Sequence, residues 1–480
     1  MTDFNKDEQA LFMNISDKDR ADLSALLSRL DNATNQENNI QIKEKYLEAI
    51  NCYLRQGLSV SKILKLLDVK YLGDHYCGSH KRRYELDNTA VGYLLGLSAN
   101  DMTMFRVSVT LKEDVIPQLL QMALIFAEKR FPIFSCIIKD SIMWPYMETN
   151  VNVPLLRKDG NFPCVSLTEQ ERKNRSYTVF YQAKTISMEV SHAITDASGA
   201  LTYLKSIVRE YARLTEAEVQ FPETYIDCNS DIDERENEDE YKKVVSHEKR
   251  RNLLSPPSQQ IADSPDEHKT KRINSITADL NKLKVLAKEK GVTISTYLLA
   301  KMFLSIKEVM DGKKGIINIQ VPVNMRKFYN SATIRNFSMF SFISEKLEMI
   351  KDEKTLYESI SCQLKKSSDK NTLDVTISKT TKLMKLASYV PFNLIKHMLK
   401  PIYKKLDYNA AVAILSNIGT VDNGEKTSDF IDYYDFIIIP IYDNKMYCTV
   451  ATYANKVRIN IATSTKTKEL EAIMIKNLLD

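Results

Sequence analysis

Glycine is scarce in this chain of 480 residues, which contains only 12. No two glycines are separated by a single residue, so the dinucleotide-binding fingerprint G-x-G-x-x-G occurs nowhere. Two glycine pairs have P-loop spacing, Gly73 with Gly78 and Gly419 with Gly424, but Ser79 and Glu425 stand where the phosphate-binding lysine belongs. The nucleophile elbow G-x-S-x-G of serine hydrolases is also absent. These absences exclude the standard motifs of three large classes of enzyme.

Cysteine is sparse as well. The 7 cysteines are widely spaced and form no C-x-x-C, which fits a reduced protein better than a disulfide framework or a zinc ribbon. The first ten residues hold no apolar signal core, and no apolar run is long enough to cross a bilayer. We therefore expect a cytoplasmic protein. A net charge of only +5 does not by itself predict a nucleic-acid or membrane partner.

Hydrophobic periodicity and charge divide the chain into four parts. Residues 1–75 show helical periods, and residues 76–228 alternate strands with amphipathic helices. The segment from Asp227 to Glu240 contains eight acidic residues and only one arginine. This composition predicts a charged, solvated crossover over residues 229–272. Residues 273–480 mix helices and strands again. The pattern predicts a mixed α/β (α+β) protein with a helical N-terminal extension.

The most informative motif is SHAITDASG, residues 191–199. The preceding residues predict one strand over 179–192, in which His192 shares a face with apolar side chains at every second position. His192 therefore ends a buried strand, Asp196 follows at the turn, and Gly199 begins a helix. Imidazole, with an ordinary pKa of about 6.5, is suited to accept a proton near neutral pH.

This order of elements resembles the catalytic segment of the chloramphenicol acetyltransferase-like superfamily, which includes peptide-synthetase condensation domains and alcohol acetyltransferases. The bacterial alcohol acetyltransferase-like proteins look most similar. In this signature Ser191 replaces the first histidine of the double-histidine form, and Ala197 stands where a glycine usually follows the aspartate. The resemblance covers roughly residues 80–480, because further segments match in the expected order: RYELDNTA (83–90), FRVSVTLKE (105–113), KRFPIF (129–134), VPVNMRKF (321–328) and LSNIG (415–419).

The resemblance implies two acyltransferase lobes, each a mixed sheet with flanking helices, that meet at a central tunnel. His192 would act as general base on a hydroxyl or amine, which attacks a thioester without forming an acyl-enzyme. Acyl-CoA, or a phosphopantetheine-linked acyl group, would be a co-substrate, and we expect no bound cofactor and no metal. Asp196 would pair with Arg326 across the two halves. The resemblance also places candidate oxyanion donors at Asn324, Asn336, Ser338, Ser416 and Asn417.

Two other functions remain open at the level of sequence. One is a condensation enzyme that takes its acyl group from a carrier protein and not from free acyl-CoA. The other is a catalytically inactive member of the superfamily that binds or regulates.

A basic stretch from Ile377 to Leu406 contains seven lysines and no acidic residue. It has the pattern of an amphipathic helix, and a helix packed on the domain with its lysines outward is the plainer interpretation. Contact with a membrane surface, with coenzyme A phosphates or with a carrier protein is the alternative.

Two weaker motifs are assigned no function. His75, Cys77 and His80 form a compact group that lacks a fourth metal ligand. Residues 56–72 resemble the first part of a helix-turn-helix, but a plain helical hairpin has the same pattern, so we expect no nucleic-acid binding.

Overall fold

The structure is a computed structural model that describes residues 15–78, 81–96, 103–165, 167–246, 256–261, 270–424 and 426–479. Within this part, one lobe is built on a five-stranded sheet and the other on a six-stranded sheet, and a small three-stranded sheet lies beside the first lobe. Both large sheets combine parallel and antiparallel pairs. The expected two-lobed mixed α/β fold is confirmed.

The strands of the described residues are β1 (Arg83–Glu85), β2 (Met104–Leu111), β3 (Cys136–Lys139), β4 (Tyr146–Thr149), β5 (Leu156–Lys158), β6 (Tyr177–Gln182), β7 (Thr185–Ser191), β8 (Arg272–Asp279), β9 (Ile316–Asn324), β10 (Ser338–Lys346), β11 (Ala413–Val421), β12 (Ile431–Ile438), β13 (Met446–Tyr453) and β14 (Lys456–Thr463).

The α-helices of the same residues are α1 (Asp17–Ala33), α2 (Gln36–Arg55), α3 (Val60–Leu66), α4 (Asn88–Gly96), α5 (Pro117–Glu128), α6 (Glu169–Arg172), α7 (Ala197–Leu214), α8 (Leu280–Glu289), α9 (Ile294–Val309), α10 (Arg326–Tyr329), α11 (Glu353–Ser367), α12 (Lys370–Ala387), α13 (Phe392–Ala410), α14 (Thr427–Phe430) and α15 (Glu469–Leu479).

The first lobe is a sheet with the strand order β12-β2-β7-β6-β5. The sequence predicted a single strand over residues 179–192, and this prediction is wrong, because β6 and β7 form a tight hairpin. Ala183 adopts a left-handed conformation (φ 46°) at the turn, which the alternation of apolar residues on either side does not reveal. Helices α5 and α7 pack together beside this sheet and bury its apolar side chains.

Strand β12 belongs to the first lobe's sheet although it lies late in the chain. It pairs antiparallel with β2, where Tyr434 is opposite Val109. On its other side Asp435 binds Arg458 and Asn460 of β14, in the second lobe. Residues 273–480 therefore contribute to both sheets. The sequence predicted the strand but not its partner, since alternation identifies a strand without identifying its neighbour.

The N-terminal helices pack directly on the first lobe. Side chains of α1 to α3 share one continuous hydrophobic core with α5, α7 and the sheet. The ring of Tyr46 meets that of Phe126 edge-on at 6.1 Å between centroids, and the hydroxyl of Tyr53 donates to the Leu214 carbonyl at 2.7 Å. Residues 15–75 thus extend the core of this lobe.

The crossover between the lobes is partly buried, in contrast to the solvated segment that its charge predicted. Glu236 accepts hydrogen bonds from Nη1 and Nη2 of Arg130 at 2.6 and 2.8 Å. Tyr241 is almost fully buried. Arg130 lies about a hundred residues earlier in the chain, so the local charge run could not indicate its partner. Residues 247–255 and 262–269 of the predicted crossover lie outside the described part.

The second lobe is a sheet with the strand order β10-β9-β11-β13-β14-β8. β9 and β11 pair over only two positions, Ile319 with Ala413 and Gln320 with Ile414. Beyond them the two strands no longer pair, although each keeps its other neighbour. The sheet is therefore split between residues 321–324 and 415–421.

The basic stretch 377–406 lies on two helices, α12 and α13, which are separated by a break at Pro391. α13 packs against α4 of the first lobe. Among the described residues, no helix combines the length and the apolar character that crossing a bilayer requires.

Candidate functional site

His192 lies directly after β7, where the chain turns toward α7. Its ring packs against two aromatic rings: that of Tyr93 on α4, nearly parallel at 4.9 Å between centroids, and that of Phe105 on β2, at 4.3 Å. Its backbone N–H donates to the Thr103 carbonyl, and its carbonyl accepts from Nδ2 of Asn336, both at 2.9 Å. The first lobe thus holds the ring of His192, and both lobes hold its backbone.

The imidazole of His192 is neutral at pH 7. Burial lowers its pKa from 6.5 to about 4, because imidazolium loses hydration, and the charge of Asp196 and the backbone of Thr195 oppose this shift only in part. Nδ1 is buried and makes no hydrogen bond with a described residue. No carboxylate therefore orients the ring through that nitrogen; the two aromatic rings and the backbone of Thr195 are its neighbours instead.

The two carboxylate oxygens of Asp196 have separate partners. Oδ1 accepts the backbone N–H groups of Ser198 and Gly199, both at 3.1 Å, and so caps α7. Oδ2 accepts Nη1 of Arg326 at 2.8 Å and the backbone N–H of Phe337 at 2.9 Å. The carboxylate is buried and connects a helix of the first lobe with the second lobe.

The guanidinium of Arg326 donates hydrogen bonds to four acceptors. Nη1 donates to Asp196 and, at 3.3 Å, to Oδ1 of Asn324, and Nε donates to the Thr333 carbonyl at 2.7 Å. Nη2 donates to the carbonyl of Arg335. The side chains of Arg326 and Asp196 are only 14% and 7% exposed. This buried, charge-assisted pair fixes the turn after β7 between the lobes.

Gly199 is required by a close approach of backbone from the second lobe. A Cβ atom at this position would lie 1.9 Å from the Ile334 carbonyl oxygen and 2.2 Å from Oγ1 of Thr195. Ala197 begins α7 in ordinary helical conformation, and no contact there requires a glycine. The glycine that this turn needs therefore stands two residues after Ala197.

Residues 333–337, between α10 and β10, form a segment that is buried throughout. Within it Asn336 Nδ2 donates to the carbonyl of His192 and, at 3.4 Å, to Oδ2 of Asp87. Nη2 of Arg335 lies 3.5 Å from the same carboxylate oxygen. Burial raises the pKa of Asp87 to about 6, opposed by the charge of Arg335. This segment is thus the second lobe's direct contact with the backbone of His192.

Comparison with known proteins supports the fold. The sequence matches no protein-family model and no curated protein sequence. A trichothecene 15-O-acetyltransferase from Fusarium sporotrichioides is 13% identical over 83% of this chain and 95% of its own, with a TM-score of 0.54. The first condensation domain of the CDA synthetase is 11% identical over 83% and 95% of the two chains, at 0.52. A second F. sporotrichioides protein, solved with coenzyme A and T-2, is 11% identical over 81% and 96%, at 0.53.

The chain has the chloramphenicol acetyltransferase-like fold. The resemblance inferred from the sequence is confirmed at this level.

Within the chloramphenicol acetyltransferase-like fold, two of the predicted oxyanion donors already donate hydrogen bonds to other groups of the protein. Asn324 donates to Oγ of Ser198 at 3.1 Å and accepts from Arg326, and Asn336 donates to the carbonyl of His192. Ser338 is partly exposed, and its hydroxyl makes no hydrogen bond with a described residue. Ser338 directly follows the buried segment 333–337. It is therefore the candidate whose hydroxyl has no acceptor among the described residues.

Ser416 and Asn417 lie on β11, beside the split in the second sheet. Asn417 is exposed, accepts the backbone N–H of Gly419 at 2.8 Å and donates to Ser295 at 3.4 Å. Neither residue makes a hydrogen bond with His192 in the described part of the chain. Asn324, at the end of β9, borders the same split. Its hydrogen bond to Ser198 connects this edge of the split with the first turn of α7.

Four residues of this site were not predicted from the sequence: Tyr93, Phe105, Asp87 and Arg335. Asp87 and Phe105 stand in segments that matched the superfamily, so the match placed them near the site without giving them a role. Tyr93 and Arg335 had no local signal, because each acts through a contact more than ninety residues away in the chain.

A second buried titratable cluster surrounds Glu128. The hydroxyls of Tyr76 and Tyr177 donate to its carboxylate at 3.1 Å, and Nε2 of His75 lies 4.0 Å away. Burial raises the pKa of Glu128 to about 7 and lowers that of His75 to about 4. In the described ranges no group of three or more side chains is arranged to hold a metal, and His80 lies outside them.

Proposed function

We propose that the protein is an acyltransferase that moves an acyl group from a thioester to a hydroxyl or amine. The observation that carries this proposal is the state of His192. It is a neutral imidazole near the contact of the two lobes, and two aromatic rings pack against it. The Asp196–Arg326 ion pair fixes the turn that follows it, and no carboxylate of the described residues pairs with its ring.

The proposed reaction has one proton relay. The acceptor X–H attacks the thioester carbonyl, a C–X bond forms, and the acceptor's proton passes to His192. The C–S bond then breaks, and the thiolate takes the proton back from His192, so that the products are the acylated acceptor and a free thiol. Holding both substrates in one cleft contributes much of the rate gain.

A direct attack without an acyl-enzyme fits the surroundings of His192. Nucleophilic catalysis requires a serine or cysteine within hydrogen-bond reach of its base. No such side chain hydrogen-bonds to the ring of His192 among the described residues. Oγ of Ser191, its immediate neighbour, accepts the backbone N–H of Ala193 at 3.3 Å.

The donor of the proposed reaction is acyl-CoA, which is a co-substrate and not a resident cofactor. The oxyanion of the tetrahedral intermediate needs a donor about 3 Å away. Ser338 is our first choice, because its hydroxyl is uncommitted, and Ser416 across the split is the second. Asp196, Arg326 and Gly199 position the turn and do not touch the reacting atoms.

The test is a screen of acyl-CoAs against alcohols and amines, read by release of free thiol. Exposed Cys362 gives a constant background, which is subtracted with reactions that lack the acceptor. His192→Ala should abolish transfer and retain the fold by circular dichroism. His75→Gln is the matched control: it removes another buried histidine whose pKa is lowered to about 4, and it should keep activity.

The pH profile adds an independent readout. Since the pKa of His192 is lowered to about 4, kcat/KM should stay level as the pH falls through 6.5 and decline only toward pH 4. Full activity of His192→Ala would overturn the proposal. Transfer from an acylated carrier protein, with none from acyl-CoA, would instead assign a condensation enzyme.

A further inference from the structure

Helices α12 and α13, with the loop 141–144, form a surface on which large apolar side chains are exposed. We call residues 141–144 and 379–400 the basic apolar face. Its parts are continuous, because Phe392 N donates to the Met143 carbonyl at 2.7 Å and Trp144 Nε1 donates to the Val390 carbonyl at 2.9 Å. The exposed fractions are Ile142 88%, Met143 43%, Leu383 63%, Leu386 69%, Tyr389 74%, Leu394 54%, Met398 63% and Leu399 41%.

These side chains follow the helical repeat. On α12, Lys382, Leu383 and Leu386 lie at spacings of three and four residues and share one face. On α13, Leu394 and Met398 share a face in the same way. Soluble monomers rarely expose apolar patches of this extent unless the patch meets a partner.

The charge of this face is positive, apart from Asp140 at its edge, whose carboxylate acts on Lys396. No acidic residue occurs from 377 to 406, against seven lysines. Lys382, Lys385 and Lys400 form no ion pair with a described residue. Lys396 is partly buried, and the adjacent positive charge of Lys400 adds to the burial that lowers its pKa. The face therefore complements a surface that is both anionic and apolar.

We propose that the basic apolar face docks the protein on an anionic lipid bilayer. On an interfacial amphipathic surface, apolar side chains enter the boundary of the acyl chains and neighbouring lysines contact the anionic headgroups. The basic apolar face has both kinds of side chain. An acidic carrier protein fits less well, because it would need a matching pocket for each of eight apolar side chains on three segments. A bilayer accepts all of them in one plane.

Docking at this face would bring the bilayer close to the candidate site. α13 packs against α4, and Tyr93 of α4 stacks on His192. The inference does not depend on the proposed acyl transfer, because bilayer binding is measured without any reaction. Loss of activity in His192→Ala, for example, leaves the docking surface intact.

Trp144, the only tryptophan, lies in the face and reports on docking directly. We expect full-length protein to sediment with phosphatidylcholine vesicles that contain phosphatidylserine, and the Trp144 emission to shift to shorter wavelength. Binding should weaken with added salt and be far weaker for pure phosphatidylcholine.

Matched variants test the two components of the face. Lys382→Gln with Lys385→Gln and Lys400→Gln should lower binding on the order of 100-fold, from the contribution of each lysine near an anionic surface. The control replaces three exposed lysines of α8, again by Gln, and should bind as the parent does: Lys282, Lys284 and Lys288.

A second pair of variants tests insertion. Leu386→Ser with Met398→Ser should reduce binding and abolish the emission shift. Val285→Ser with Met349→Ser, which changes exposed apolar side chains elsewhere (54% and 61%), should do neither. No sedimentation with anionic vesicles at low salt, or equal binding by all variants, would overturn the proposal. So would capture of an acidic carrier protein through this face in the absence of vesicle binding.

Discussion

Asp196→Asn separates the two tasks of the Asp196 carboxylate. Asparagine caps a helix as well as aspartate does, so the bonds from Ser198 N and Gly199 N to Oδ1 can persist. The other oxygen is replaced by a donor that faces two donors, Arg326 Nη1 and Phe337 N. The guanidinium of Arg326 also loses its buried counter-charge. Removing one partner of a buried ion pair costs about 3–5 kcal/mol, and we expect a loss of that size in the free energy of unfolding.

The chain offers a matched control in Asp352, which caps α11 through the backbone N–H of Thr355 at 2.9 Å. Asp352 is exposed and forms no ion pair with a described residue. Asp352→Asn should therefore change the free energy of unfolding by less than about 0.5 kcal/mol. Both variants are compared by urea unfolding, followed by circular dichroism, with acyl transfer measured in parallel. Equal stability of the two variants would refute the assignment of a buried interlobe ion pair.

Two further variants test the packing of the site and the buried carboxylate outside it. Gly199→Ala gains about 1 kcal/mol of helix propensity, yet its Cβ meets the Ile334 carbonyl at 1.9 Å, so we expect a net loss of about 2–4 kcal/mol in urea unfolding. Gly160→Ala, which has open space around it, should be nearly neutral, and equal stability of the two would contradict the close approach. Because the pKa of Glu128 is raised to about 7, its contribution to stability is present below its unfolded pKa of about 4.5 and lost as the pH rises through 7. Glu128→Gln should therefore gain up to about 3 kcal/mol relative to the parent between pH 4.5 and pH 8, and a pH-independent difference in urea unfolding would contradict this.

The sequence predicted those parts of the site whose signals are local. Parity along β7 placed His192 at the end of a buried strand. The resemblance of the V-P-V-N-x-R segment to the superfamily implied Arg326, which the structure places 2.8 Å from Asp196. The catalytic role of His192 and the positioning roles of Asp196 and Arg326 stay predictions. The proposed roles of Ser416 and Asn417 are also predictions, since their contacts in the structure are local to β11 and Ser295.

Contacts between segments that are distant in the chain could not be predicted from the sequence. The acidic crossover gave a strong signal of solvation, yet Glu236 is buried because Arg130, on another element, supplies its counter-charge. Arg335 is buried for the same reason, against Asp87. A charge run reports the average environment of a segment, whereas each ion pair depends on a partner that only the tertiary fold brings near.

The late position of β12 sets the order in which the protein can be assembled. During synthesis the first lobe emerges before the second, and the edge of β2 that β12 covers stays unpaired until residue 438 has been made. An unpaired, largely apolar edge strand is a template for association with other chains. Pairing across more than three hundred residues is also slow, because its loop must close first. We therefore expect a fragment ending at residue 246 to aggregate, and the lobes to become native together.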